Sequence, residues 1–223
     1  MLVAAAVLAG CSDGDDSPAD RTSSSASGDT TTTTLRRSAT TTSDAAATTL
    51  PSTTSAPVVD ALELRADGVG AQRFGSAADV VVAALTEELG SATDDRVQSA
   101  PTSDYGVCPG TQVRIVEWGG FTLLFTDGAT PYAGGGSFTF FDWQLRDLGA
   151  ATPPMQTGSG VDLGDPLAEV RAAGDAVTAA DDEILGAVFT ITLAGGGEIR
   201  GSLTGTGDAD TVTSLVAGSS CGE

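Results

Sequence analysis

The sequence predicts an α+β fold: a tandem repeat of a helix (or helix pair) plus an antiparallel β-meander, with the helices packed on one face of the sheet. Three observations predict it. A helix-start pattern occurs twice, 89 residues apart. Runs that alternate in hydropathy with period two follow each copy. Between those runs, Gly119-Gly120 and Gly195-Gly196-Gly197 read as hairpin turns.

The chain begins with ten almost wholly apolar residues, Met1 to Gly10, ahead of Cys11. That is too short for a bilayer span, which needs roughly 20 apolar residues, but it fits the apolar region of an export signal. Leu8-Ala9-Gly10-Cys11 resembles the lipobox of bacterial lipoproteins. The resemblance implies cleavage between Gly10 and Cys11, a diacylglyceryl thioether on Cys11 and often an acylated new N-terminus. Two or three acyl chains anchor stably where one does not. No Lys or Arg precedes the apolar run, which points to a start upstream of Met1.

Residues 12 to about 57 are dominated by Ser, Thr, Ala and Asp, with five consecutive threonines at Thr30 to Thr34. So few large apolar residues cannot offset chain entropy, and the stretch is expected to be a disordered linker. About 46 residues of flexible coil give a mean reach of roughly 35–40 Å. It reads equally as an O-glycosylated stalk or an unmodified spacer. The expected organisation is therefore a signal over 1–10, a lipidated cysteine and linker over 11–57, and repeats over 58–149 and 150–223 that form one compact unit.

The repeat lays Gly75-Ser-Ala-Ala-Asp-Val-Val-Val-Ala-Ala84 over Gly164-Asp-Pro-Leu-Ala-Glu-Val-Arg-Ala-Ala173 without gaps. Ser76 and Asp165 stand where an N-cap accepts a backbone N–H, and Pro166 takes the favoured first helical position. Val81, Ala84, Leu85 and Leu89 share one stripe, as do Leu167, Val170 and Ala173, with Gly90 and Gly174 as stops. Strands are expected over 111–118, 121–126 and 136–145, then 185–193, 198–204 and 211–217. Apolar-faced strands of period two imply an antiparallel sheet covered on one side.

This helix-then-meander pattern resembles the tandem-repeat fold of the β-lactamase inhibitor protein and small bacterial outer-membrane assembly lipoproteins. The repeated [Phe/Leu]-Gly-[Ser/Asp]-x-x-x-x-Val-x-Ala-Ala motif and Cys221 also resemble exported lipoproteins of high-GC Gram-positive bacteria. The resemblance covers residues 62 to 223 in outline. It implies a protein-binding sheet face and no catalysis, and it carries over no binding residues.

Composition excludes much chemistry. The net charge is −20, with no histidine and no lysine. From residue 58 onward there are 24 of the 30 acidic residues against seven of the ten basic ones, near −17. Such a domain repels nucleic acid and anionic headgroups. Absent histidine removes the Ser-His and Cys-His activations and the commonest zinc ligand, and absent lysine removes Schiff-base chemistry. A carboxylate-pair hydrolase survives in principle, but no convincing pair is present. Asp94-Asp95, Asp181-Asp182-Glu183 and Asp208-Ala-Asp210 lack calcium-loop spacing and read as Asp-rich turns. Neither an enzyme nor a cofactor is expected.

Cys108 and Cys221 remain as an even pair, read as a disulfide in an exported chain over the competing metal or thiol reading. Aromatics cluster in the first half. Phe138 and Phe140 share one parity, while Phe141 and Trp143 share the other unless a bulge intervenes. Val113/Ile115 and Val116/Trp118 also fall on opposite parities. Both faces thus carry large apolar groups. Either an aromatic surface including Trp118, Tyr132, Phe141 and Trp143 is exposed for docking, or bulges and a covering segment bury it, and the balance leans slightly to burial. The expected role is a membrane-anchored, extracytoplasmic, non-catalytic module that binds a protein partner. The alternative is a carrier of a small apolar molecule or lipid in the cell envelope.

Overall fold

The structure is a computed structural model that describes residues 61–149, 152–173 and 176–222. The signal and linker readings, the lipidation of Cys11 and the helix stop at Gly174 lie outside the described residues.

Eight antiparallel strands form the main sheet. In chain order they are β4 (Asp94–Ser99), β5 (Gln112–Trp118), β6 (Phe121–Thr126), β7 (Thr139–Arg146), β9 (Ala176–Asp182), β10 (Gly186–Thr192), β11 (Glu198–Leu203) and β12 (Val212–Gly218). They lie in the order β4-β5-β6-β7-β12-β11-β10-β9, so two four-stranded meanders meet at the central β7–β12 pair. A second, four-stranded sheet has the order β3-β2-β1-β8, from β1 (Leu62–Arg65), β2 (Gly68–Val69), β3 (Gln72–Arg73) and β8 (Met155–Thr157). Its β1–β8 pair is parallel and the others antiparallel. Two helices complete the described residues: α1 (Ala78–Leu89) before the first meander and α2 (Leu167–Ala172) before the second.

The α+β expectation is therefore corrected: the fold is mostly β. Helices supply 12 and 6 residues. Much of the cover over the large sheet is the small sheet, whose Leu62, Leu64, Val69 and Met155 join the main core beside Val81, Leu85, Leu167 and Val170. Strands of two to four residues are too short to show a period in sequence, which is why this layer was invisible there.

The expected side-chain caps are also corrected. α1 starts behind Ala77 and α2 behind Pro166, with no side-chain cap on either. The residue before each helix is drawn into a bridge with the sheet instead, Ala77 to Thr139 and Pro166 to Thr211. Backbone carbonyls then serve the first helical N–H groups: Phe138 accepts from Ala78 at 3.0 Å and Asp210 from Leu167 at 2.8 Å. Gly90 ends α1 with a φ of +82°, as expected of a helix stop.

Asp94-Asp95 and Asp181-Asp182 belong to the edge strands β4 and β9 and not to turns alone. Charged, exposed edges discourage pairing with another chain. The Asp95 carboxylate accepts from Arg114 Nε and Nη2 at 2.9 and 2.8 Å, which holds it below the ordinary carboxylate range. Asp182 accepts the N–H groups of Ile184 and Leu185 at the β9–β10 turn.

Both faces of the first meander are apolar, and both are covered. Val116, Trp118, Leu123, Phe125, Phe140 and Trp143 face the main core. Val113, Ile115, Leu124 and Phe141 form a second, smaller core with Ala100 and Cys108. A register shift between β6 and β7 at Leu124/Phe125 is the bulge that sends Phe141 and Trp143 to different cores. The cover on this second face is the segment after β4, a 3-10 turn (Ala100–Thr102) and the loop through Cys108. It is tied down by the Cys108–Cys221 disulfide and by the antiparallel bridge of Val107 to Gly222.

Candidate functional site

The aromatic residues singled out in the sequence do not form an exposed face. Trp118 is 3 % exposed, and Phe141 and Trp143 are wholly buried. Both indoles are fixed by hydrogen bonds to backbone, Trp118 Nε1 to the Gly90 carbonyl at 2.9 Å and Trp143 Nε1 to the Arg65 carbonyl at 2.8 Å. Tyr132 is exposed, and its ring leans on Phe74 with centroids 4.8 Å apart. The expected docking surface is thus corrected: the bulge and the disulfide-held segment place three of its four aromatics in the interior.

The second face of the sheet opens where this cover ends, over the other meander. There a groove of about 590 Å³ lies on β7, β12, β11 and β10. Strand register lays out its floor. One row across the strands is Thr190–Arg200–Val216–Gln144. The next row, two residues along, is Val188–Ser202–Ser214–Arg146. All eight line the groove because residues two apart on a strand share a face. The wall is the disulfide-stapled pair of segments, through Tyr105 and Gly106 on one and Ser220 to Gly222 on the other.

The charge of this groove departs from that of the chain. No Asp or Glu lines it among the described residues, although the chain carries 30 acidic side chains against 10 basic ones. Seven arginines fall in the described residues, and Arg65, Arg73, Arg96, Arg114 and Arg171 each sit in an ion pair. The other two, Arg146 and Arg200, are the two arginines of the groove, and both are exposed. Arg146 donates to Gln144 Oε1 at 2.6 Å and stands 5.9 Å from the centre of the Tyr105 ring. Arg200 reaches Ser220 Oγ at 3.4 Å. Tyr105 is itself braced by donation to Glu117 Oε1 at 3.0 Å, and burial raises its phenol above the ordinary range.

Asp142, on β7 two residues before Gln144, is wholly buried. Burial pushes its carboxyl up to about 7, against the opposing effects of the Gln144 hydrogen bond and the charges of Arg200 and Arg146. Gln144 Nε2 donates to its Oδ1 at 3.2 Å, while Oδ2 has no partner. Below about pH 7 the carboxyl is held protonated, and in that range it lends the two guanidiniums no negative charge.

Chemically the groove can bind and orient. Among the described residues that line it, no carboxylate or imidazole stands with its serines to take a proton. Among the described residues no group of three or more His, Cys, Asp or Glu side chains is placed to hold a metal ion. Sequence reading missed Arg146, Arg200 and Gln144. The available signal was a cation on the strand parity opposite to the core residues Leu145 and Ile199, but pairing the two arginines needs the strand register. No family model matches the chain, and no curated protein or solved structure matches it.

Proposed function

We propose that this protein is a non-catalytic binding module, held on the extracytoplasmic face of the cell membrane by lipid on Cys11, with the groove on the second sheet face as its binding surface. The observation that carries the binding reading is the groove itself: among the described residues that line it are two arginines without ion-pair partners and no carboxylate. Its volume lies in the range of small-molecule sites, about 300–1,000 Å³. The anchor reading rests on Leu8-Ala9-Gly10-Cys11. Trp118, Phe141 and Trp143 are buried and offer a protein partner no surface, so the groove is the binding surface proposed.

Two measurements test it. Cells grown with an alkyne-bearing fatty acid should label the native chain, and Cys11→Ala should abolish both label and membrane retention. Native mass spectrometry of protein released gently from membranes should show a bound small molecule that Arg146→Gln/Arg200→Gln loses. Identical spectra without a ligand for both proteins would count against the groove as a binding surface.

A further inference from the structure

We infer that the groove binds a small solute carrying a carboxylate or phosphate group, clasped between Arg146 and Arg200, with its apolar part lying on Val188 and Val216. This rests on the reading of the groove as a binding surface and adds the chemical class of its ligand.

The first support is the pattern of ion pairing. In a chain with three carboxylates for each cation, an arginine on the surface ordinarily finds an acidic neighbour, and five of the seven described arginines do. The two that do not are on one face of one sheet, in one groove. Among the described residues the rest of the lining is neutral, and the nearby carboxyl whose charge both arginines feel, Asp142, is buried beneath the floor.

Geometry is the second. Arg200 and Arg146 lie diagonally across the floor, two strands and two residues apart. With strand spacing of about 4.8 Å and rise of about 3.4 Å per residue, their backbones are roughly 12 Å apart. Two arginine side chains are long enough to span that gap, so both heads can reach one oxyanion or the two ends of a dianion. Ser202 and Ser214 lie between them and offer hydroxyl donors.

Third, the guanidiniums are positioned with donors to spare. Each has five N–H groups. Arg146 spends one on Gln144 and is steadied over Tyr105, and Arg200 spends one on Ser220. Carboxylate and phosphate match the planar fork that remains. The net charge of −20 repels extended polyanions and anionic bilayers at long range, so a small solute is the form of anion that reaches these two residues at least cost.

The test is calorimetric titration of the full chain, released from membranes in detergent, with four probes at equal ionic strength: inorganic phosphate, decanoate, decyl phosphate and decanol. Decanoate and decyl phosphate should bind at least tenfold more tightly than decanol. Arg146→Gln/Arg200→Gln should lose at least tenfold of that affinity, with each single variant intermediate. Unchanged circular dichroism would show that the exposed arginines were not needed for folding. Vesicles containing phosphatidylglycerol should not be retained beyond those of phosphatidylcholine, which separates a free solute from a lipid headgroup in a bilayer.

Decanol bound as tightly as decanoate would overturn the anion while leaving the groove as a binding surface for apolar molecules. Retention by phosphatidylglycerol vesicles, lost in the double variant, would overturn the small solute in favour of a membrane headgroup. If no probe binds, the inference fails, and native mass spectrometry then decides whether the binding-surface reading falls with it.

Discussion

Trp143 Nε1 donates to the carbonyl oxygen of Arg65 at 2.8 Å, a single bond that joins the centre of the eight-stranded sheet to the end of β1 in the small sheet. The residue is wholly buried, so its role is in the packing of the two sheets. Truncation of a buried tryptophan leaves a cavity as well as a lost transfer term. Trp143→Ala is expected to lower unfolding free energy by about 3–5 kcal/mol in urea titrations. Trp143→Phe keeps most of the volume and loses the indole donor, so about 1–3 kcal/mol is expected. Losses under about 0.5 kcal/mol would fit an exposed aromatic and contradict this packing role.

Asp142 should make the protein less stable as pH rises through the mildly acidic range. Its carboxyl titrates near 7 in the folded chain against an ordinary value of 3.8. Between those values the unfolded chain has released the proton and the folded one keeps it, so stability falls with rising pH and levels off above about 7. Each tenfold change in proton affinity is worth about 1.36 kcal/mol, so the penalty reaches roughly 4 kcal/mol. Asp142→Asn is expected to gain stability at pH 8, by about 1–4 kcal/mol, and to flatten the slope between pH 4 and 7. Asp95 and Asp127, held low by hydrogen bonds, lose their contribution at more acid pH and do not mask this window. Equal denaturation midpoints for native protein at pH 5 and pH 8 would contradict the assignment.

Legibility followed burial asymmetry. β6 reads over Phe121–Thr126 in both sequence and structure, and β10, β11 and β12 fall within one or two residues of expectation. Each of those four has an apolar parity. The edge strands β4 and β9 went unread because water meets most of their side chains, leaving Asp94-Asp95-Arg96 and Ala179 to Asp182 without alternation. Alternation established that Ile115 and Trp118 point to opposite faces. What lies over each face is a tertiary fact, and the segment through Cys108 supplied it. The groove was hidden for the same reason. Arg146 and Arg200 become neighbours through β12, which contributes no charge of its own.

The disulfide has a local role beyond chain entropy. Closing a loop of 113 residues contributes about 4–5 kcal/mol in the chain-entropy model. It also pins the cover of the second core and the wall of the groove. Cys108→Ser/Cys221→Ser should therefore lose amide protection first in residues 100–110 and 219–222, while β10 to β12 stay protected. Anilinonaphthalene sulfonate fluorescence should rise as Ile115, Leu124 and Phe141 lose their cover. Uniform loss of protection along the chain would mean that the bridge acts on global stability alone.

Gly201 makes room for a phenyl ring in the middle of β11. A Cβ there would stand 2.1 Å from the Ser214 carbonyl oxygen and 2.5 Å from Phe189 Cε1, both far inside contact distance. The oxygen belongs to backbone of the neighbouring strand, so relief requires β11 to move. Gly201→Ala is expected to cost about 1–3 kcal/mol as overpacking, read from the urea midpoint. Gly90→Ala meets nothing within 4 Å but has a φ of +82°, and its cost of about 1 kcal/mol separates backbone strain from crowding. The groove offers a second readout. Gly201 faces away from the floor, yet it lies between Arg200 and Ser202, both of which line that floor. A displaced β11 should weaken decanoate binding in Gly201→Ala and leave it unchanged in Gly90→Ala. Equal affinity in both variants would show that the arginines clasp their ligand without depending on the register of β11.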